Sequence, residues 1–394
     1  MRISTAQTYD ASVNNLQHRQ SDLSDAQTRL TSGKRVMRGS DDPTSAARAE
    51  RALAQEERAV VAQRAVDASR NAMRLSESAL GDAIGVIQSA RDSLVNAGNG
   101  AYTAEERTTL AAQLQQYRDQ LLKVANREDS AGTFLFAGQG APSKPFLESG
   151  GTVIFNGTPG EIALGSGESL PATVNGSTAW MTAMTGNGVF ETAANPANTG
   201  KGWIDAGQIR NPSALTGADY EVTMSVAGGV TRYSVTRDGA ATALTNVAFR
   251  ADQPIEIDGM SFTISGVPAA GDRFSLTPSE PNLSVFDALD AAIAELKSGS
   301  NTAQGVSNGL RDLDSVLSRM QGVRSAVGDT LNRIDNVEDR LAASKLHAQT
   351  DRTNAEDLDL VEAISKFQEK QNGYDAALQT YAKVQRMTLF EYIR

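Results

Sequence analysis

Residues 9–30 read YDASVNNLQHRQSDLSDAQTRL, and the spacing of their apolar side chains predicts a helix. Its side chains repeat every seven residues, with a second column four residues after the first. The first column is Tyr9, Leu16, Leu23 and Leu30, and the second is Val13, Gln20 and Gln27. A 4-3 spacing places both columns on one narrow stripe of a helix, which is the seam of a coiled coil. The sequence therefore predicts a helix that needs a partner.

The chain repeats this pattern near its other end. Residues 364–381 read ISKFQEKQNGYDAALQTY. One column is Phe367, Tyr374 and Tyr381, continued by Thr388, and the other is Ile364, Gln371 and Leu378, continued by Gln385. The two stripes lie more than three hundred residues apart. In the simplest arrangement that gives each stripe a partner, the middle of the chain folds separately and the two terminal helices pair with each other.

Length and composition exclude several classes of function. A chain of 394 residues favours two or three domains. Its net charge of −10 argues against a nucleic-acid partner, and the lack of cysteine excludes disulfides and thiolate metal sites. No apolar run approaches the roughly 20 residues of a membrane span. The N-terminus has no apolar signal-peptide region, so we expect an extracellular form to leave by a route without N-terminal cleavage.

Long helices are expected on both sides of a strand-rich middle. Asp42 suits a helix N-cap and Pro43 the first helical position. A second heptad column predicts a helix from about 302 to 351, interrupted at 351–354. Its members are Leu313, Met320, Val327, Ile334 and Leu341, interleaved with Leu310, Leu317, Arg324, Leu331, Glu338 and Lys345.

The middle of the chain is predicted to form β-strands. Short β-branched runs alternate with glycine-rich turns, and hairpins are predicted at 220–226 with 231–236 and at 255–257 with 260–264. The predicted class is a multidomain α+β fold. A long α-helical coiled coil or bundle is formed by the N- and C-terminal segments, with an all-β domain inserted between them. We divide it into 1–42 with 352–394 (paired terminal helices), 43–139 with 283–351 (long-helix bundle) and 140–282 (β insert).

Catalytic chemistry is not expected. The carboxylate pair Asp41-Asp42 could hold a cation, but a helix cap is the favoured interpretation. Trp180 and Trp203 could stack on sugars if exposed, although core packing is favoured. The chain offers no convergent acid, base and nucleophile, so we predict no enzyme, no cofactor and no metal site.

The terminal stripes are instead interpreted as an assembly site. Each belongs to one short amphipathic helix that buries little by itself, so the ends should be marginal in a free monomer and order on packing against further copies. Glutamines at seam positions weaken a pair but can specify register or packing number. The predicted assembly seam is Tyr9, Val13, Leu16, Leu23, Leu30, Ile364, Phe367, Tyr374, Leu378 and Tyr381.

Several short motifs resemble the flagellin family. They are Met1-Arg-Ile-Ser-Thr5, Leu30-Thr-Ser-Gly-Lys-Arg-Val36, Ser40-Asp-Asp-Pro43, Thr133-Phe-Leu-Phe-Ala-Gly138 and Leu389-Phe-Glu-Tyr392. The resemblance covers roughly residues 1–140 and 283–394 and is to the junction proteins of that family more than to filament flagellins. It implies terminal helices in the inner tube of the flagellum, longer helices in the next shell and an outward β insert.

The resemblance also implies partners and a route. The chain would be exported through the flagellar type III apparatus, held beforehand by a chaperone that recognises its C-terminal region. It would then form a homo-oligomeric ring at the hook-filament junction, between hook-associated protein 1 on the hook side and flagellin on the filament side. Two alternatives stay open: a filament flagellin, and a glycan-binding or adhesive surface protein that uses the β insert.

Overall fold

The computed structural model describes residues 5–98, 102–138, 143–164, 167–299 and 301–390. The helices are α1 (Thr5–Ser32), α2 (Pro43–Ala97), α3 (Ala104–Ala125), α4 (Gly176–Trp180), α5 (Val285–Ser298), α6 (Thr302–Glu356) and α7 (Leu360–Phe390). The outermost residues of the terminal family motifs, 1–4 and 391–392, lie outside the described residues.

The strands all belong to the middle of the chain. They are β1 (Phe146–Ser149), β2 (Thr152–Phe155), β3 (Glu161–Ala163), β4 (Ser169–Pro171), β5 (Phe190–Ala194), β6 (Trp203–Ile204), β7 (Gln208–Ile209), β8 (Tyr220–Ala227), β9 (Val230–Arg237), β10 (Ala240–Ala241), β11 (Val247–Ala248), β12 (Pro254–Ile257), β13 (Met260–Ser265) and β14 (Arg273–Pro278). The predicted fold class is confirmed: terminal helical segments flank an all-β insert.

The chain packs into two units. The first is Met1–Arg64 with Val337–Arg394, and the second is Ala65–Asn336. Both boundaries fall inside the long helices α2 and α6, whereas the three-part division made from sequence placed its boundaries at helix ends. That finer division stays a prediction.

Helix starts follow the capping residues. Pro43 begins α2, and the Asp42 side chain accepts a hydrogen bond from the Ser45 backbone N–H at 3.1 Å. Thr103 and Glu106 form a reciprocal capping box at the start of α3. Ser284 caps α5 through the backbone N–H of Phe286. These side chains satisfy backbone donors that have no partner inside their own helix.

The predicted interruption at 351–354 is wrong. Helix α6 continues to Glu356, and α7 begins only at Leu360. Tertiary contacts outweigh the weak helix propensity of this segment: Arg352 pairs with Glu56 at 2.8 Å, and the neighbouring Ala355 is buried.

The second unit buries the expected faces of its helices. Met73, Leu80, Ile84, Ile87 and Leu94 of α2 are buried, as are Leu313, Met320, Val327 and Ile334 of α6. The second buried column of α6 differs from the expected one. Leu317 is buried as expected, but Val316 and Val323 are buried too, whereas Arg324 is exposed and pairs with Glu77 at 2.6 Å.

Two antiparallel sheets share the core of the β insert. The larger has the order β10-β9-β8-β14-β5, with β11 also paired to β9, and the smaller has the order β12-β13-β6, with β7 also paired to β13. Both predicted hairpins are present, as β8-β9 and β12-β13. Members of the shared core include Phe190, Ile204, Tyr220, Val222, Val235, Phe262, Ile264 and Phe274.

Polar side chains of α6 attach the β insert to the helices of the second unit. The Gln304 amide accepts from the Ile204 backbone N–H at 2.8 Å and donates to its carbonyl at 3.1 Å, as a neighbouring strand would. The Arg311 guanidinium donates to the Thr192 carbonyl at 2.7 Å. These hydrogen bonds therefore fix the position of the β insert on α6.

Candidate assembly site

Helices α1 and α7 pack against each other in an antiparallel pair. The hydroxyl oxygens of Tyr9 and Tyr381 lie 2.7 Å apart, and their ring centroids lie 5.8 Å apart. Further along, the Lys370 ammonium donates to the Asp22 carbonyl at 3.4 Å. Residue numbers rise along α1 as they fall along α7, so the end of α1 lies beside the start of α7.

The leading column of each stripe faces the partner helix but is not fully covered. Leu16, Leu23, Leu30, Phe367, Tyr374 and Tyr381 are half-buried. Tyr9 retains 45% of its accessible surface. An intrachain seam that leaves its own apolar side chains half exposed gains only part of the free energy that full burial would give.

The second column that approaches the partner consists of residues that sequence reasoning missed. It is formed by Ser12, Ala26, Ala363, Lys370 and Ala377, which are half-buried. Most of these residues are alanine or serine, so the heptad pattern of apolar residues does not identify them. The one feature of the sequence that could have identified them is their position, three residues after each member of the leading column. The Arg19 guanidinium also packs across Gly373, where an added Cβ would lie 2.6 Å from it.

The remaining predicted seam residues lie at the edge of the pair or outside it. Val13 is half-buried, whereas Ile364 and Leu378 are 45% and 38% exposed. The glutamines of the same columns, Gln20 and Gln371, are exposed. The pair within one chain therefore leaves most of the second predicted column exposed, and the assembly role of the seam stays a prediction.

A short backbone clasp joins the far ends of the two helices. We use this name for residues 33–36 and 355–358. The Arg35 N–H donates to the Glu356 carbonyl at 2.7 Å, and the Leu358 N–H donates to the Gly33 carbonyl at 3.0 Å. Lys34 and Glu356 add an ion pair at 3.1 Å. The clasp holds the end of α1 beside the junction between α6 and α7.

Arg35 connects the clasp to the start of α2. Its guanidinium donates to the Ala355 carbonyl at 2.7 Å and to the Asp42 carboxylate at 3.2 Å. The hydrogen bonds that Asp42 accepts, first from Ser45, then Thr44 and Arg35, hold the pKa of that carboxyl well below its usual range. The sequence placed Arg35 in a predicted helix break and in a family motif, but it did not predict these contacts.

The long helices of the first unit are joined by polar contacts. Gln349 donates to the Glu56 carboxylate at 2.9 Å, and Arg352 donates to its other oxygen at 2.8 Å. Alanines supply the buried positions here, including Ala52, Ala59 and Ala348. Small side chains let two helix backbones approach closely, so this part of the bundle is narrow.

The second carboxylate of the predicted pair is also structural. Asp41 accepts hydrogen bonds from the backbone N–H groups of Met37 and Arg38, both at 3.1 Å, and these bonds lower its pKa. Within the described ranges no cluster of three or more His, Asp or Glu side chains could hold a metal ion. The favoured cap interpretation of this segment therefore agrees with its geometry.

The helices that the structure describes contain no segment both long enough and apolar enough to cross a membrane.

Trp180 does not offer a sugar-stacking surface. It is 1% exposed and lies against Phe286 in a stacked arrangement, with ring centroids 6.1 Å apart. Phe136 and Phe146 meet its edges. Trp203, in β6, is half-buried. The core-packing interpretation of Trp180 is correct, and the site that remains is a helical packing surface.

Comparisons with known proteins agree with this architecture. The N-terminal helical region of bacterial flagellin matches residues 3–141, and the C-terminal helical region of bacterial flagellin matches residues 310–393. Together these two matches span more than half of the chain. Between them, the D2-like domain of flagellar hook-associated protein 1 matches residues 193–278.

Individual relatives indicate which type of flagellar protein the chain resembles. Flagellar hook-associated protein 3 of Escherichia coli (strain K12) is 25% identical over 403 residues, covering 99% of each chain. The crystal structure of flagellar hook-associated protein 3 from Legionella pneumophila has a TM-score of 0.71 at 25% identity, covering 76% of this chain and 97% of that one. That of the flagellar junction protein FlgL from the same organism has a TM-score of 0.64 at 26% identity, covering 70% and 95%.

The helical termini and the inserted β domain thus agree with the same group of proteins. This group is structural rather than enzymatic. The chain therefore belongs to the flagellin family, as a structural flagellar protein of the hook-associated protein 3, or junction, type.

Proposed function

We propose that this protein forms a homo-oligomeric adaptor ring at the hook-filament junction, with hook-associated protein 1 on its hook side and flagellin on its filament side. The observation that carries the proposal is the α1–α7 pair, whose leading apolar column is only half-buried within one chain. Packing against further copies would complete that burial. The predicted seam, from Tyr9 to Leu30 and from Ile364 to Tyr381, is the proposed assembly site.

The three-part division made from sequence assigns a task to each part. Residues 1–42 with 352–394 assemble in the inner tube, 43–139 with 283–351 form the surrounding shell, and 140–282 face outward. Export through the flagellar type III apparatus, with a chaperone on the C-terminal region, belongs to the same proposal. It is supported by family membership and by the marginal burial of the terminal pair.

The test in cells is deletion of the gene with separate staining of hooks and filaments. We expect cells that keep hooks and lose filaments, and return of filaments when the gene is restored. Filaments of normal number and length in the deletion strain would refute the adaptor role. Growth of purified protein alone into long filaments would instead identify a filament flagellin.

The test in solution is hydrogen exchange of the dilute monomer. We expect weak amide protection in residues 5–40 and 355–390 and strong protection in the β insert, because the terminal pair buries less apolar surface per residue. Protection of both ends equal to that of the insert contradicts ordering on assembly.

A further inference from the structure

Helix α6 carries two kinds of glycine. At Gly309 an added Cβ would lie 2.5 Å from the Leu94 Cδ2, so the close approach of α2 requires a glycine there. At Gly322 and Gly328 an added Cβ would have nothing within 4 Å beyond its own stretch of helix. Packing therefore explains the first glycine and leaves the other two without a steric reason.

Helix α2 has two further glycines that packing does not require. An added Cβ would meet nothing within 4 Å at Gly85, and at Gly81 its nearest neighbour would be the Arg324 guanidinium at 3.7 Å, an ordinary contact. Glycine is less favourable than alanine inside a helix because it loses more backbone freedom on folding. The two long helices thus carry four positions at which alanine would fit and would stabilise the helix.

The four glycines lie at one level of the pair that α2 and α6 form. Two ion pairs, one on each side of this level, show that the helices run antiparallel. They are Arg91 with Asp314 at 2.5 Å and Arg70 with Asp335 at 2.9 Å. Gly81 and Gly322 lie near the middle of the segments between these ion pairs, and Gly85 and Gly328 follow them within about two turns. We call residues 81–85 with 322–328 the glycine level.

Unfilled space lies beside α6 at the glycine level. A cavity of about 310 Å³ is lined by Val323 and Val327 on one face of the helix, together with residues of the segment 159–178. A groove of about 590 Å³ is bordered by Gln321 and Ser325 on another face, together with residues of α2. Close-packed interiors resist bending because displaced side chains meet their neighbours. Here α6 has room to move on two of its faces.

Polar contacts with the middle of the chain hold α6 before and after the glycine level. The Arg319 guanidinium donates to the Thr178 carbonyl at 2.8 Å, and the Arg333 guanidinium donates to the Ser169 carbonyl. Between these anchors, Arg324 joins α2 through an exposed ion pair, a type of contact that adds little stability. The glycine level is therefore a weakly braced segment between two fixed points.

We propose that the glycine level is a bending site of the second unit, at which α2 and α6 curve together into the adjacent space. Helices bend sharply at prolines, at glycine and serine pairs and at interruptions of their hydrogen bonds, and Ser325 lies between the two glycines of α6. This inference goes beyond the ring function, because it concerns a motion of each single chain and holds in the free monomer. In a ring between two different proteins, such bending would let each copy adapt its shape to both neighbours.

Hydrogen exchange of the full-length monomer tests the bending site directly. After correction for the intrinsic rate of each residue, amides of 80–87 and 320–330 should exchange at least about tenfold faster than those of 66–74 and 305–315. All four segments lie inside continuous helices of the second unit. Uniform protection along both helices overturns the proposal.

Alanine substitutions test whether the glycines cause this behaviour. The triple variant Gly85→Ala, Gly322→Ala and Gly328→Ala removes backbone freedom without a clash. We expect its glycine level to exchange as slowly as the flanking segments. The control, Asn71→Ala with Asn332→Ala, raises helix propensity at exposed positions outside the glycine level and should leave the fast exchange unchanged. Fast exchange that persists in the triple variant, or an equal slowing in the control, refutes the role of the glycines.

A distance measurement separates bending from local opening of the helices. The chain has no cysteine, so Ala68→Cys on α2 and Ser225→Cys on the β insert, both exposed, carry a unique pair of spin labels. Bending at the glycine level changes the distance between them. We expect a broad distance distribution in the otherwise unsubstituted chain and in the control, and a narrower one in the triple variant. Equal widths in all three overturn the proposal.

Discussion

Leu23→Asp is the substitution that most directly tests the terminal seam. Leu23 is half-buried against α7. Full burial of a leucine side chain stabilises by about 1.5–3 kcal/mol, so the half-burial here contributes about 1 kcal/mol. Placing a carboxylate in a half-buried position adds a desolvation cost of about 1 kcal/mol. The expected loss in the monomer is about 2 kcal/mol of docking between α1 and α7, or roughly 30-fold in the docked-to-undocked ratio.

Hydrogen exchange read by mass spectrometry measures this loss segment by segment. Amides of α1 and α7 should exchange up to about 30-fold faster in Leu23→Asp, whereas those of β8 and β9 should be unchanged because they belong to the separately packed second unit. In the assembled ring the same carboxylate would be more fully buried, so assembly should be lost.

Ser21→Asp is the matched control, since it adds the same charge at an exposed position of the same helix. It should exchange and assemble like the unsubstituted protein. If Leu23→Asp and Ser21→Asp show the same exchange in α1 and support filaments equally well, the seam does not hold the pair together and the reasoning fails.

Three further substitutions test other parts of the structure. Because the pKa of Asp42 is lowered in the folded protein, the stabilisation of α2 by this carboxylate is present above the ordinary aspartate pKa of about 3.9 and is lost as the pH falls from there toward the pKa of the folded state. Hydrogen exchange should therefore show weaker protection of the Ser45 amide below about pH 4. The Asp42→Asn variant should not show this decline. Arg118 is 3% exposed and pairs with Asp290 at 2.6 Å; Arg118→Met should destabilise the second unit by about 3 kcal/mol in chemical denaturation, and a change below 1 kcal/mol contradicts the pair's role. Trp180→Ala should cost about 3–5 kcal/mol by the same measurement, with any glycan binding of the insert unaltered; unchanged stability would show that the aromatic cluster is not packed as described.

The leading heptad columns could be predicted from sequence because only apolar residues at a near-3.5 period give one continuous stripe. Leu16 and Leu23 of α1 and Leu313 and Met320 of α6 all lie where that rule places them. Caps such as Asp42 were equally predictable, since they depend on residues adjacent in the chain.

The interleaved columns were not predictable in the same way. Positions three and four after a leading residue both satisfy the spacing rule, and the apolar choice favoured Val13 over Ser12 in α1 and Leu317 over Val316 in α6. The structure brings Ser12 as well as Val13 to the helix pair, and buries Val316 more fully than Leu317. Which flank is covered depends on the direction and rotation of the partner helix, which no local pattern encodes.

The amino-acid sequence alone thus determined the helical ends, the β insert and the residues that lead each seam, because these follow from periodicity and from neighbours in the chain. The tertiary structure alone decided three further features. Helix α6 runs through 351–354, Arg35 ties the clasp to the start of α2, and the leading columns of α1 and α7 remain half-buried within one chain. Each depends on contacts between residues hundreds of positions apart, whose free energy outweighs local preference once the chain has returned on itself.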